Sequence, residues 1–361
     1  MKHSILHIAP ENFAGVPYDF MCMHKAHGEH SRLITLHNNP LGFTEDICLD
    51  FPIFRSSFAR SYRLSTSLVK RGITQSQAMF WKPTSLIDKC YFALQTKSRI
   101  ARIEQLIKTE NLDAFDIIHY DGGLDFTRDS RFAKRWKAMG KSIVTCYYGS
   151  DLRARGIIRE MDEMSDLKLT SEFDHLALKN DLEYVFYPYD PGELPAVNPD
   201  KDFSSIRIVH SPTNRLYKGT ELILSVIDKL KKSFIFEFHL LENLPRHEVL
   251  SMKSLSTISI DQVGGTFGGT GYGKAGIESL AMGIPTITNM TDEYANWLPE
   301  NPFIIANTAQ ELEDALVQLF ESPELCHQLG KQGKQWVHDY HSYEKVHEHL
   351  HVLYHQYGII R

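Results

Sequence analysis

Short runs of β-branched and aromatic residues alternate along the chain with longer stretches whose apolar positions recur three and four apart. That alternation predicts strand–helix–strand units on parallel sheets. Residues 5–9 read as a first strand, stopped by Pro10, and ENFAGVPYDF follows with Gly15 in the loop and a helix starting near Pro17. Gly28 suits the end of that helix, and residues 32–36 read as the second strand. Residues 101–108 close an amphipathic helix. Further strands are expected at 115–120, 142–147, 168–171 and 184–187, with helices over 132–139 and up to Leu178. PYDPGELPAVNPDKD, proline-rich and polar, reads as a linker. A second α/β series follows, with strands at 206–210, 234–241 and 257–261 and helices over 220–232 and after Pro245. The tail from 311 to 357 reads as helices broken near Ser322–Pro323 and at Gly330.

The densest signal is DQVGGTFGGTGYGKAGIESLAMGIPTITN, residues 261–289: strand end, glycine-rich loop, helix, then a strand over 284–288. Helix amino termini carry unpaired amides and partial positive charge, and glycines let backbone approach a ligand, so this loop is a candidate phosphate cradle. Lys274 adds charge. Gly268 to Lys274 has the spacing of a P-loop, but Ala275 stands where a hydroxyl must hold magnesium. Gly271, Gly273 and Gly276 also fit GxGxxG, with Asp292 and Glu293 near the distance at which a dinucleotide site places its acid.

Composition narrows these readings. At 361 residues, two domains of about 150–200 residues are expected. A net charge of -6 argues against a general nucleic-acid binder. Five scattered cysteines without a CxxC pair suit reduced thiols in a cytoplasmic protein. MKHSILHIAP is too short and polar for a secretory signal, and no apolar run is long enough to span a bilayer. The eighteen histidines show no clustering at metal-ligand spacing. Residues 54–102 are strongly basic, with Phe and Tyr interleaved and only Asp88 opposing. They read as helices with solvated basic faces, or as a surface for an anionic acceptor or membrane leaflet.

Polar residues just past parallel strands are where α/β sites are built. FDIIHY runs into Asp121, and residues 142–147 into Tyr148, Asp151 and Arg153, so these and His119 share one sheet edge. A lone histidine such as His119 is more often a hydrogen-bonded core residue than a catalyst.

GYGKAGIESLAMGIPTIT, residues 271–288, resembles the donor-site signature of retaining GT-B glycosyltransferases of the family 4 type. In that signature a glycine-rich loop leads into a helix reading roughly E-A-M-A-x-G-x-P-V-I; Glu278, Gly283 and Pro285 fall in step. IVHSPTNRLYKGTELI resembles the strand–loop–helix of the same family that carries a basic pair for the donor diphosphate, here Arg215 and Lys218, and YYGSDLR resembles a segment of the other domain. The resemblance implies an α/β GT-B fold, two Rossmann-like domains facing across a cleft: residues 1–188, with a final helix over about 342–361 packing back on them, and 204–341. It implies transfer of a sugar from a UDP- or GDP-type donor to a hydroxyl with retention, in surface polysaccharide or glycolipid synthesis. No cofactor and no metal are expected, since no DxD-type pair sits at a donor loop.

The site residues implied are Arg215, Lys218, Tyr148 and His119 for catalysis. Asn214, Thr270, Gly271, Tyr272, Gly273, Lys274 and Glu278 would hold the donor, with Glu278 on the ribose hydroxyls. Gly15, Asp121, Asp151 and Arg153 would lie on the acceptor side. Two departures leave the sugar unassigned: Thr270 stands where the family often has a glutamate, and Tyr148 where many members have histidine. The partners implied are the donor and a saccharide or lipid-linked acceptor, with peripheral membrane contact through residues 54–102 and work in the cytoplasm, at the inner face of the membrane. A sugar-nucleotide epimerase on the same donor domain, or a catalytically silent nucleotide-binding homologue, are the alternatives.

Overall fold

A computed structural model describes residues 3–52, 79–83, 85–195, 202, 205–264 and 270–361. The chain divides into two units, Met1–Pro188 with Val346–Arg361, and Tyr189–Lys345.

The first unit is a seven-stranded sheet of Ser4–Ala9 (β1), His30–Thr35 (β2), Ile47–Cys48 (β3), Ile117–Asp121 (β4), Ser142–Tyr147 (β5), Leu167–Thr170 (β6) and Glu183–Tyr184 (β7). Its order is β3-β2-β1-β4-β5-β6-β7, and every pairing is parallel. Strands this apolar need cover on both faces. Val16–Ala26 (α1) supplies part of that cover, burying Val16, Phe20, Met21 and Met23. Leu86–Thr109 (α2) and Arg131–Ala138 (α3) supply more, through Ile103, Ile107, Phe132 and Trp136. Short helices Arg159–Met164 (α4) and Phe173–Leu178 (α5) complete the described crossovers. The strand order reverses between β1 and β4, and a parallel sheet leaves a crevice at that point outside its carboxyl ends.

The second unit holds Arg207–His210 (β8), Glu237–Leu240 (β9), Ile258–Ile260 (β10), Thr286–Thr288 (β11) and Ile304–Ile305 (β12). The order is β12-β11-β10-β8-β9, again parallel throughout, so the switch point lies between β8 and β10. Its helices are Arg215–Lys218 (α6), Thr220–Leu230 (α7), Arg246–Ser254 (α8), Lys274–Ala281 (α9), Asp292–Trp297 (α10), Ala309–Glu321 (α11) and Pro323–His341 (α12). α7 buries Ile223, Val226, Ile227 and Leu230, the three-and-four spacing that sets one helix face on a sheet. α11 starts at a capping box of Thr308 and Glu311, which satisfies two terminal amides reciprocally.

The tail corrects one expectation. Gly330 does not break a helix; α12 runs through it, and the chain breaks instead at Ser322 and at Ser342. Glycine is needed at 330 for packing, because a Cβ there would stand 2.3 Å from the Gly283 carbonyl oxygen. Gly333 makes room in the same helix for the Leu280 side chain, where a Cβ would stand 2.6 Å from its Cδ2, so α12 packs closely on α9 and the turn after it. After Ser342 the chain forms Tyr343–Gln356 (α13), whose later residues belong to the first unit: His349 meets the Tyr184 carbonyl at 3.0 Å and Tyr357 donates to Glu183 at 2.6 Å.

The β7 strand is shorter than the expected 184–187, and β9 than 234–241. Of the basic segment, residues 54–78 and 84 lie outside the described residues. Within it, Arg99 and Arg102 lie 4.6 and 5.4 Å above the ring of Phe51, as cation–π partners.

Candidate functional site

In the second unit the switch point gathers most of the residues that the sequence singled out. β8 ends at His210, whose buried ring is fixed on both sides: Nδ1 on the Ile260 carbonyl at 2.8 Å and Nε2 on the Thr220 hydroxyl at 2.9 Å. Burial drives its pKa down to about 4, so it stays neutral. The chain leaves β8 through Asn214, whose side chain accepts from the amides of Leu216 and Tyr217 and so starts α6. α6 is a single turn with Arg215 at its start and Lys218 at its end.

Gly219 ends that turn with φ +66, a conformation that side chains resist, and a Cβ there would fall 1.8 Å from the Val263 carbonyl oxygen. The loop after β8 therefore touches the loop after β10 backbone to backbone. That contact sets Lys218 over Asp261, Nζ to Oδ1 2.6 Å. The other oxygen of Asp261 accepts from the Gly273 amide at 2.8 Å, at the start of α9. Burial pushes the Asp261 carboxyl up, but Lys218 and the amide outweigh it and hold it below the usual carboxylate range. An ammonium group and the amino-terminal end of α9 thus converge on one buried carboxylate.

Arg215 is half exposed, with Glu242 on one edge of its guanidinium at 2.9 Å and Glu221 on the other at 2.6 Å. Gly271 has φ +114 and lies against Tyr294; a Cβ would meet its ring at 2.3 Å. Tyr272 is buried in an aromatic cluster with Phe303, Trp336 and His341. Lys274 lies 5.9 Å from the Tyr189 ring. Thr270 accepts the Thr291 amide at 2.7 Å, and Asp292 and Glu293 occupy the exposed first turn of α10. Gly268 of the P-loop spacing lies outside the described residues.

Glu278 stands in the middle of α9 and is buried. Its oxygens receive Arg246 at 3.2 Å and Lys253 at 3.0 Å, and Lys253 also donates to the Ala275 carbonyl at 3.0 Å. Burial raises the carboxyl; Lys253, Arg246 and Lys274 together pull it below its ordinary value. The sequence reading missed both Arg246 and Lys253. Their only signal was two cations on a short helix, unremarkable until α8 is laid beside α9.

In the first unit the residues past β4 and β5 do meet. The Tyr148 hydroxyl donates to Asp121, whose other oxygen lies 3.1 Å from His7 Nδ1. Asp151 accepts the Tyr148 and Gly149 amides, each at 2.9 Å, and opens a single π-helical turn, Asp151–Arg155. Burial raises the Asp121 pKa to about 6. Arg153 is locked between Asp174 and Glu172, so its charge is already matched. Gly15, with φ 78, starts α1 beyond the end of β1. His119 pairs across the strands with His7 and is fully buried, with ring centroids 4.5 Å apart. Neither of its ring nitrogens has a hydrogen-bond partner, and burial takes its pKa down to about 3. It is closed to solvent and faces Asp121 rather than any opening, so an influence on chemistry would run through Asp121 and Tyr148.

A family model described as glycosyl transferase-like matches residues 276–351. No curated protein matches the chain by sequence. Among solved structures, the fold is similar to sucrose-phosphate synthase from Thermosynechococcus elongatus (TM-score 0.61, 12% identity, 98% of this chain and 99% of that one). It is similar also to the catalytic domain of starch synthase IV from Arabidopsis thaliana bound to ADP and acarbose (0.61, 11%, 100% of both chains). A UDP-N-acetylglucosamine 2-epimerase is similar at TM-score 0.53 and 13% identity, over 100% of this chain and 98% of that one. The chain has the GT-B fold of two Rossmann-like α/β domains, with a glycosyltransferase-like segment that includes most of α9.

Proposed function

We propose that the protein is a glycosyltransferase that moves a sugar from a UDP- or GDP-sugar to an acceptor hydroxyl with retention. The observation that supports this most strongly is the meeting of Lys218 with the amino-terminal end of α9 at the switch point of the second sheet. When the glycosidic bond to the donor breaks, negative charge collects on the departing diphosphate. A fixed ammonium and the positive end of a helix stabilise that charge without having to reorganise. Lys218 has three protons to give, and Asp261 uses one; the others are available to phosphate oxygens. Arg215 would exchange one of its carboxylates for phosphate. Asn214, Thr270 and Gly271 to Lys274 would frame the donor. Glu278 keeps spare lone pairs beside Arg246 and Lys253, and would use them on the ribose hydroxyls.

On the other unit, Asp121, Tyr148, Asp151, Arg153 and Gly15 would serve the acceptor, with His119 supporting Asp121 from behind. We further propose a saccharide or lipid-linked acceptor of a surface polymer, met in the cytoplasm at the inner face of the membrane. No described helix is long and apolar enough to cross that membrane, so contact would be peripheral.

A thermal-shift and calorimetric screen of nucleoside diphosphates and their sugars tests the donor site, since ligand held by the native state raises its stability. Lys218→Ala should weaken binding of the diphosphate by about 1–3 kcal/mol, roughly 5- to 150-fold. Arg215→Ala should act in the same direction. Binding by both variants at the parent's affinity would place the donor elsewhere. The epimerase reading is kept because an epimerase shares this fold. Conversion of a UDP-sugar with no acceptor present would favour it; release of nucleotide only when acceptor is supplied would favour transfer.

A further inference from the structure

The first unit carries a second cluster of ionisable side chains beside the first: the His24 ring lies 5.5 Å from that of His7, which meets Asp121. Read along the sequence, the histidines show no metal-ligand spacing; the fold corrects this by bringing distant ones together. His24 lies on α1, Glu29 just before β2, and His347 and His351 one turn apart on α13. All three rings point a nitrogen at the Glu29 carboxylate. His24 Nδ1 is 2.6 Å and His347 Nε2 3.2 Å from Oε2, while His351 Nε2 is 3.0 Å from Oε1. One ligand atom each from His24, Glu29 and His347 lie within 4.8 Å of one another.

We propose that His24, Glu29 and His347 form a binding site for a divalent transition cation of the zinc type, with His351 positioning the carboxylate through its second oxygen. Two imidazoles and a carboxylate are a donor set that zinc accepts, with a fourth position left for water. Metal–ligand bonds of about 2.0–2.1 Å put tetrahedral neighbours about 3.4 Å apart, so the His347 contact to Oε2 needs to open by about 0.2 Å and the His24 contact by about 0.8 Å, within reach of a small rotation of the carboxylate. Glu29 arrives ionised: burial alone would raise its pKa, but the histidine hydrogen bonds bring it well below the carboxylate range. His24 is fully buried, whereas the side chains of His347 and His351 are 14% and 27% exposed, which gives an ion a way in from the α13 side. His27 stacks flat on the His347 ring at 3.9 Å and fixes its plane. A bound ion would cross-link α13 to α1 and so tie the end of the chain to the first sheet.

The test uses the full chain without an affinity tag, stripped with chelator and dialysed. Zn²⁺ is then titrated by calorimetry and retained metal is counted after desalting. One equivalent per chain is expected, with a rise in melting temperature that chelator reverses. Co²⁺ in its place should show the intense visible bands of a four-coordinate ion. His347→Asn and Glu29→Gln should lose the retained equivalent. His351→Gln should keep it with affinity lowered roughly 10- to 100-fold, as for a group that orients a ligand. His338→Ala, at an exposed histidine outside the cluster, should bind as the parent does. Circular dichroism identifies any variant that fails to fold, and the His351 and His338 variants then carry the comparison. A parent that retains no ion, or a His347→Asn protein that retains one as tightly as the parent, overturns the proposal and leaves a hydrogen-bonded clamp.

Discussion

Replacing Lys253 by methionine isolates the ion pair under α9. The Lys253 side chain is 1% exposed and Glu278 9%, so the pair is dry. Methionine keeps most of the stem and removes the charge. Glu278 then keeps Arg246, at 3.2 Å and on a partly exposed side chain, and the charge of Lys274. Removing one partner of a buried pair costs about 3–5 kcal/mol. The surviving arginine argues for the lower end, and the lost bond to the Ala275 carbonyl adds about 1 kcal/mol. Lys253→Met should therefore cost about 3–4 kcal/mol in urea unfolding. Glu278→Gln alone should cost about 2–3 kcal/mol, since it strands an ammonium against an amide. The double variant should lie within about 2 kcal/mol of the parent, because the buried pair is gone and the remaining Arg246 is partly exposed, which gives a coupling of at least about 3 kcal/mol. A single Lys253→Met cost below about 1 kcal/mol, or costs that simply add in the double variant, would refute the pairing as the reason Glu278 is tolerated there.

Glu278→Gln also bears on the donor. If the carboxylate reads ribose, the parent should prefer ribonucleoside diphosphate over its 2′-deoxy form and the variant should discriminate less; equal binding of both forms by the parent would remove Glu278 from the donor site. His210 makes acid stability predictable. Its folded pKa of about 4 lies below the free value of 6.5, so the unfolded chain binds the extra proton, and stability present above pH 6.5 is lost as pH falls towards 4. His210→Gln, which does not titrate, should flatten the unfolding free energy over that window, and an unchanged pH slope would count against a buried neutral imidazole. Gly219→Ala should destabilise by about 3 kcal/mol or more, since it combines a disfavoured φ with a clash against backbone, and a cost near zero in thermal unfolding would show that the contact relaxes.

Much of this molecule is written locally. β-branched runs place β1, β5 and β8 within a residue or two, because an apolar strand covered on both faces leaves a nearly continuous signal. The glycine-rich stretch points to α9, and RLYKG to α6, since both depend on backbone conformations that only certain residues accept. What stays hidden depends on partners far apart in the chain. Lys253 looks like a surface lysine until α8 docks, and His24 and His347 are separated by most of the sequence. Gly330 misleads because glycine marks breaks and close packing alike; only the Gly283 carbonyl opposite it decides which. His119 could be flagged as a core histidine, but that its nitrogens lack partners follows from what surrounds it.

The meeting of Gly219 with Val263 has a consequence for how this protein can be altered. Two loops from separate βα units are joined there main chain to main chain, and Lys218 and Asp261 hang from either side of the seam. Neither loop is free to be re-cut on its own. An insertion in one shifts the cation, an insertion in the other shifts its carboxylate, and either displaces the start of α9 from both. Any effort to alter the ligand preference of the proposed donor site should therefore treat residues 214–219 and 260–264 as one casting, and look for variation in the walls around it.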